Sequence, residues 1–561
     1  MSSSSYDYII IGGGVAGLTL ASRLSKLLPR SETKQILVLE AGTDPSKADY
    51  ILSSTGYHLA RESEHAYILD VEANPHLNRR AAQVSVGKAL SGSGAINGSA
   101  WTRGPKVDYD YWAKLVGDDA WSYDKLLPFF RKTEQVVDGQ GEPIAETERD
   151  EIHHGYDGTL KVVPMKANHP SRHYPLRETI QRAWEEAGVK YNPDGNNGNQ
   201  NGLTEMVELW VKGQRQLPSQ ALDLSRVEIR DFSVVSRITF DHSAGGEPVA
   251  TGVDLVGGEH FGANKEVILS AGVYHSPQVL MLSGIGDPTV LQKHEIPTVV
   301  PNGEVGQNLV DHLAVGITWK LKHPEKGLAI GSPLFNDPSY FAGWPLDFIL
   351  FGPLDEPGNL EPLIKDAADR EFLLRPDASH MEIVTLYAPM GPRLTGIDAA
   401  MDGSHASSIA VCLTTTSKGS VTIRSANSED PPIIDTNFNA TETDRYISRE
   451  ALRKATSVYL ETETGQSFIS HEVTPEGYAA ITRDTTDEEI DKRIRDFGYS
   501  LDHPMGTCSI GKVVDSHCRV HGAKGLRVVD GSVIPVPLAC HIQATVYAIA
   551  ERVAEWIANG E

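Results

Sequence analysis

Gly12-Gly13-Gly14-Val15-Ala16-Gly17 is the stretch on which the fold turns. Immediately before it, Tyr6 to Ile11 is a short β-rich apolar run, which predicts a strand buried on both faces. Immediately after it, Val15 to Leu28 carries apolar residues at helical spacing. The glycines therefore lie where a strand turns into a helix. In that position Gly12 permits the tight turn, Gly14 lets a pyrophosphate approach the backbone, and Gly17 lets helix and strand pack closely. Val15 and Ala16 open the helix, whose free N–H groups and positive dipole end favour phosphate. A second strand, Gln35 to Leu39, ends at Glu40, about 20 residues beyond the last glycine. A carboxylate there accepts hydrogen bonds from an adenosine ribose and repels a 2′-phosphate. The unit predicts a dinucleotide cofactor and, taken alone, does not separate FAD from NAD.

The chain around this unit has 561 residues, enough for two domains sharing a large interface. Hydrophobic residues make up 40% and charged residues 22%, an ordinary globular composition. Against 51 basic residues stand 75 acidic ones, a formal charge of −24 that repels phosphate backbones and excludes nucleic acid as a partner class. No run reaches the roughly 18 apolar residues of a membrane span, so no membrane association is expected. No basic stretch leads into an apolar one ahead of the first strand, and a cytoplasmic location is the expectation. The four cysteines, Cys412, Cys508, Cys518 and Cys540, fall in no zinc-like spacing, and no metal site is expected.

Three further segments narrow the cofactor. Gly87-Lys88-Ala89-Leu90-Ser91-Gly92-Ser93-Gly94-Ala95-Ile96-Asn97 runs into Trp101-Thr102-Arg103-Gly104. Gly272-Val273-Tyr274-His275-Ser276-Pro277-Gln278 leads to Leu282-Ser283-Gly284-Ile285-Gly286. His503-Pro504-Met505-Gly506-Thr507-Cys508 precedes Gly525-Leu526-Arg527-Val528-Val529-Asp530-Gly531-Ser532. With the N-terminal turn, these resemble, in order, the segments of the glucose–methanol–choline (GMC) oxidoreductases. Two departures are Ser91, where the family usually has the first glycine of a pair, and Val273, where a small residue is usual.

The resemblance implies FAD and a two-part fold of α/β and α+β character. A Rossmann-like FAD-binding domain would be assembled from 1–154, 226–311 and 501–561. Segments 155–225 and 312–500 would form a substrate domain with a mainly antiparallel sheet flanked by helices. Strand-like runs at Met381–Tyr387, Ser408–Thr416 and Ser420–Arg424 suit that sheet. The cofactor contacts carried over are Gly12, Gly14, Val15, Ala16, Gly17, Glu40 and Ala41, then Ser93, Asn97, Gly98 and Ala100. Val235 is the strand residue expected to read the adenine, and Asp530, Gly531, Ile542, Gln543 and Thr545 complete the set. Some family members attach FAD through a histidine in the glycine-rich loop. Gly87–Asn97 contains none, so FAD is expected to be held without a covalent bond.

Oxidising an alcohol requires a base for the hydroxyl proton and a cofactor that accepts hydride. Histidine suits the base, since its ordinary pKa lies near neutrality. By resemblance His503 is that base, and His541 is the partner that orients the substrate oxygen. His312, in Asn308-Leu309-Val310-Asp311-His312, reads as a structural hydrogen-bonding histidine. Gln543 to Ile557 has helical periodicity, and its positive end would favour negative charge on a reduced flavin. The expected activity is oxidation of a small organic or secondary-metabolite alcohol to an aldehyde or ketone, with oxygen or a quinone-like compound as electron acceptor. A non-redox lyase, cyclase or isomerase on the same scaffold is the alternative. Aromatic residues between 320 and 375, among them Phe335, Tyr340, Phe341, Trp344 and Phe348, fit either a lid over an apolar pocket or ordinary packing.

Overall fold

The fold is taken from a computed structural model that describes residues 4–29, 35–168, 172–242 and 246–561. The strand Ser4–Ile11 lies inside a seven-stranded sheet, parallel to Ile36–Leu39 on one side and to His260–Leu269 on the other. Glu228–Arg230 extends the sheet beyond Ile36–Leu39, again in parallel. The ten-residue strand His260–Leu269 serves two further partners on its other edge. Its start pairs antiparallel with Val249–Leu255, which continues to Val235–Asp241, and its end pairs parallel with Leu526–Val528. Ile9, Ile10 and Leu37 are wholly buried, which is why Tyr8–Ile11 and Ile36–Leu39 are apolar at consecutive positions rather than alternating. The helix Val15–Leu27 buries Leu18, Leu20, Ala21 and Leu24 and packs against the C-terminal helix Gln543–Asn559.

A second sheet has eight strands in the order Ile469–Val473, Leu313–Leu321, His405–Cys412, Met381–Leu386, Phe348–Gly352, Gly202–Glu205 and Tyr191–Asn192, with Tyr499–Ser500 paired to Leu313–Leu321. All its pairings are antiparallel except that between Tyr191–Asn192 and Gly202–Glu205. The helix Glu442–Leu460 packs on it. Two of the strand-like runs end differently from the sequence reading. The strand His405–Cys412 stops before Thr415 and Thr416, because these residues and Ser417 bind the buried Asp444 carboxylate at the start of that helix.

The run Ser420–Arg424 leaves this sheet altogether. As Gly419–Thr422 it lies in a five-stranded sheet between Gln307–Leu309 and Ile433–Asp435, which continues to the hairpin Ala66–Val71 and Ala82–Gly87. The close approach depends on Gly419, where a Cβ would lie 1.9 Å from the Asp435 carbonyl oxygen. The hairpin positions the glycine-rich loop, which begins at Gly87, the last residue of its second strand. Among the described residues no helix is long and apolar enough to cross a membrane.

Candidate active site

At the N-terminal turn, Gly12 has φ +104°, and a Cβ there would come 2.4 Å from the Ser270 carbonyl oxygen. A Cβ on Gly17 would meet the Gly12 carbonyl at 2.0 Å. Both glycines are thus required by the protein's own packing. Gly14 differs: the nearest atom to a Cβ there is Gly92 Cα, at 3.7 Å. No neighbouring protein atom demands a glycine at Gly14, which fits a position kept bare for a ligand's approach. Gly14 also provides no side-chain cap to the helix, and the first intrahelical bond is Leu18 N–H to its carbonyl. The N–H groups ahead of Leu18, including those of Val15 and Ala16, face forward without a helical acceptor.

Glu40 closes this cradle. One carboxylate oxygen accepts the Gly13 N–H and the other the Gly42 N–H, each at 2.8 Å, and lone pairs remain for hydroxyl donors. Burial pushes its pKa up to about 7, against the lowering effect of the N–H groups of Gly42, Gly13 and Ala41. The Glu40 carbonyl accepts from Ser233 N–H, which brings the Val235 strand alongside. These donors and acceptors fit a dinucleotide with phosphates at the helix start and a ribose at Glu40.

The loop Gly87–Asn97 lies directly on the glycine turn, with Ser91 N–H donating to the Gly13 carbonyl. Ser91 has φ +83°, a conformation that favours glycine, and Ser219 is bonded to its hydroxyl through both N–H and Oγ, each at 3.0 Å. Ser93 Oγ accepts the Gly87 N–H. The Asn97 amide donates to Gln543 Oε1 at 2.7 Å, tying the loop to the first turn of the C-terminal helix. Gly98 carries its carbonyl under two indoles, Trp210 and Trp344, while Ala100 bridges to Glu208. Asp530 is buried rather than a solvated turn; it accepts from Gly272 N–H, Ser276 Oγ and Ser532 N–H. Gly531 packs against Ile542. The Thr545 hydroxyl is engaged by Tyr109, at 2.7 Å, and so turns into the protein core.

His503 and His541 come together with ring centroids 4.4 Å apart, although they lie on separate loops. His503 N–H donates to Asp311 at 2.8 Å, and His541 N–H donates to Thr102 Oγ1 at 2.9 Å. Burial first, then the His541, His312 and Arg61 charges, hold the His503 imidazole well below its ordinary value. Two side chains that the sequence reading did not place here complete the site. Glu382 receives His541 Nε2 at 3.0 Å on both carboxylate oxygens. Its signal was a lone acid in the apolar run Met381-Glu382-Ile383-Val384; it is 2% exposed, and a buried charge needs a partner. His312, read as structural, sets its Nδ1 3.1 Å from His503 Nδ1, while burial pushes its pKa down to about 3.

Arg215 was also missed. It is buried, bonds no carboxylate among the described residues and donates instead to Ile51, Gly94, Asn97 and Ser99, bracing the loop; burial lowers its pKa to about 9. The aromatic segment divides. Phe335 stacks on Tyr174 and Phe348 lies inside the eight-stranded sheet, so both are packing residues. Trp344 is half-buried, 4.7 Å from Tyr57, with its indole N–H on the Gly98 carbonyl beside the glycine-rich loop.

Family models described as GMC oxidoreductase match residues 6–314 and 415–550. The chain is 37% identical over 557 residues to the GMC-type oxidoreductase acuG of Aspergillus aculeatus, covering 99% of each. It is 31% identical to an oxygen-dependent choline dehydrogenase of Serratia proteamaculans, covering 98% of this chain and 95% of that one. Among solved structures, a formate oxidase variant from Aspergillus oryzae superposes with a TM-score of 0.85 at 27% identity, over 100% of this chain and 99% of that one. From the glycine turn to the histidine pair, and over nearly its whole length, this chain belongs to the GMC oxidoreductases, a family of FAD-dependent flavoproteins.

Proposed function

We propose that the protein oxidises a primary alcohol carried on an aromatic or otherwise apolar group, with His503 as the base and FAD held non-covalently. The observation that carries this reading is the histidine pair itself, joined to the flavin loop by Asn97–Gln543 and by Thr102–His541. FAD, when bound, supplies the hydride acceptor. His503 has one ring nitrogen, Nδ1, engaged by His312; with the proton on Nδ1 the other nitrogen, Nε2, keeps a lone pair for the substrate hydroxyl. Its depressed proton affinity keeps it neutral, and therefore competent, at ordinary pH. Glu382 fixes His541 through Nε2 and leaves Nδ1 to orient the substrate oxygen. Trp344 and Tyr57, tilted against each other beside Gly98, support an apolar substrate wall. We assign the FAD part to 1–154, 226–311 and 501–561 and the substrate part to 155–225 and 312–500. In support, the seven-stranded sheet draws only on the first set and the eight-stranded sheet only on the second, while the five-stranded sheet joins them. The electron acceptor is oxygen or a quinone-like compound.

Anaerobic mixing with ethanol, benzyl alcohol, cinnamyl alcohol and choline tests the reading. Benzyl or cinnamyl alcohol should bleach the flavin fastest. Turnover of an alcohol with the flavin still oxidised would replace the reading with acid–base chemistry on the same scaffold. Acid precipitation should release all yellow colour into the supernatant; colour kept by the pellet would refute non-covalent binding.

A further inference from the structure

We propose that Arg61 and Asp502 are positioning residues for His503: their ion pair anchors the backbone just ahead of the imidazole and sets two opposing electrostatic pulls on its proton. The proposal rests on the reading of His503 as the base. Arg61 caps the short helix Tyr57–Ala60, and its guanidinium meets the Asp502 carboxylate. Asp502 has φ +59°, a left-handed conformation uncommon for a residue with a side chain, and it immediately precedes His503. Its N–H donates to Ser500 Oγ at 2.9 Å, Ser500 Oγ is bonded to Asp311, and Asp311 accepts the His503 N–H. The backbone is thus held on both sides of Asp502, and the side chain provides the remaining anchor.

Ser85 binds both members of the pair. Its hydroxyl donates to the Arg61 carbonyl at 2.6 Å, and its N–H points to the second Asp502 oxygen at 3.4 Å. Ser85 lies on the hairpin strand Ala82–Gly87, two residues before the glycine-rich loop. The pair therefore fastens the segment that leads into the flavin loop to the segment that carries the base.

The charged and titratable groups around His503 are few. His541 and His312 face its ring, and Asp311 takes its N–H. Glu382 lies one bond further, through His541. The phenol of Tyr274 stands near Asp311 and Asp502, and that of Tyr499 near Arg61 and Asp502. Arg61 brings the guanidinium charge to this set, and that charge disfavours a proton on His503. The Asp502 carboxylate, paired with that guanidinium, carries the opposite charge.

Removing the two charges must therefore act in opposite directions. Arg61→Gln takes away a positive charge, so the His503 pKa rises; Asp502→Asn leaves Arg61 uncompensated, so it falls. Asparagine also tolerates the left-handed backbone. The experiment is a pH titration of the FAD-loaded protein carrying 13Cε1-labelled histidine, with His503→Asn to identify the resonance. Arg61→Gln should move the midpoint up by about half a pH unit or more, Arg61→Lys should leave it near wild type, and the double variant should return toward it. Asp502→Asn should move it down, or keep the resonance neutral to the acid limit of the fold. No rise in Arg61→Gln, or a rise in Asp502→Asn, overturns the proposal; if Arg61→Gln fails to hold FAD, the direction in Asp502→Asn alone decides. The pH profile of anaerobic flavin reduction by benzyl alcohol separates the two layers. Opposite resonance shifts with unmoved kinetic profiles would uphold the pair and refute His503 as the base.

Discussion

Glu40 and the Gly13 N–H it accepts are 27 positions apart in the chain, whereas Glu382 and His541 are separated by 159 and His312 and His503 by 191. The cofactor cradle is a local object: strand, turn, helix and second strand follow one another, and each part dictates the next. The histidine site is a product of the whole fold, since Glu382 and His312 reach His541 and His503 only from distant parts of the chain. Damage should differ accordingly. In the cradle a substitution weakens retention of FAD, and in the pair it slows chemistry while FAD stays bound.

The greatest loss should come from the pair. With His503 as the proposed base, His503→Ala should slow single-turnover flavin reduction by about a hundred- to ten-thousandfold with FAD content unchanged. Loss of FAD in this variant would erase the distinction between the two regions. On the cradle side, Glu40→Ala deletes charge-assisted hydrogen bonds of about 1.5–3 kcal/mol, so the FAD dissociation constant should rise roughly ten- to a hundredfold. The reduction rate of the saturated variant should match wild type; a slowed rate would show that Glu40 also acts on the chemistry.

Glu382→Gln probes the pair from inside. The amide still receives His541 but without charge, and reduction should slow by about tenfold while FAD binding holds. Least of all should be the change at Ser91. There the left-handed backbone costs about 1–2 kcal/mol for a residue with a Cβ, offset by the hydroxyl bonds to Ser219. Ser91→Gly relieves the strain as it loses the bonds and should leave stability near wild type in urea unfolding. Ser91→Ala keeps the strain, loses the bonds, and should cost about 1–2 kcal/mol.

This contrast also explains what could be read from the sequence. The run Tyr6–Ile11, the glycine turn, the helix from Val15 and the acid at Glu40 are written at fixed short spacings, and the structure departs from them by a residue or two at the ends. His503 and His541 were legible through their flanking motifs, though nothing in those motifs shows that their rings are 4.4 Å apart. Glu382 stood out only as a lone acid in an apolar run, and Arg215 looks ordinary in its own strand. Their meaning lies in a partner from another part of the chain. The run at Ser420–Arg424 was read correctly as strand and assigned to the wrong sheet, because strand propensity specifies extended backbone and leaves the neighbour to long-range packing.

Whether a half-buried neutral imidazole at position 503 acts as the base can be decided by the rate of anaerobic flavin reduction as a function of pH in wild type and His503→Ala. Neutral imidazole is the competent form, and its pKa is held well below the ordinary value of 6.5. The wild-type rate should therefore be flat through neutrality and above. It should fall only as the pH drops well below 6.5, and His503→Ala should be slow at every pH and lack that acid limb. A wild-type midpoint at or above 6.5, or an acid limb that persists unchanged in His503→Ala, would rule out this role for His503.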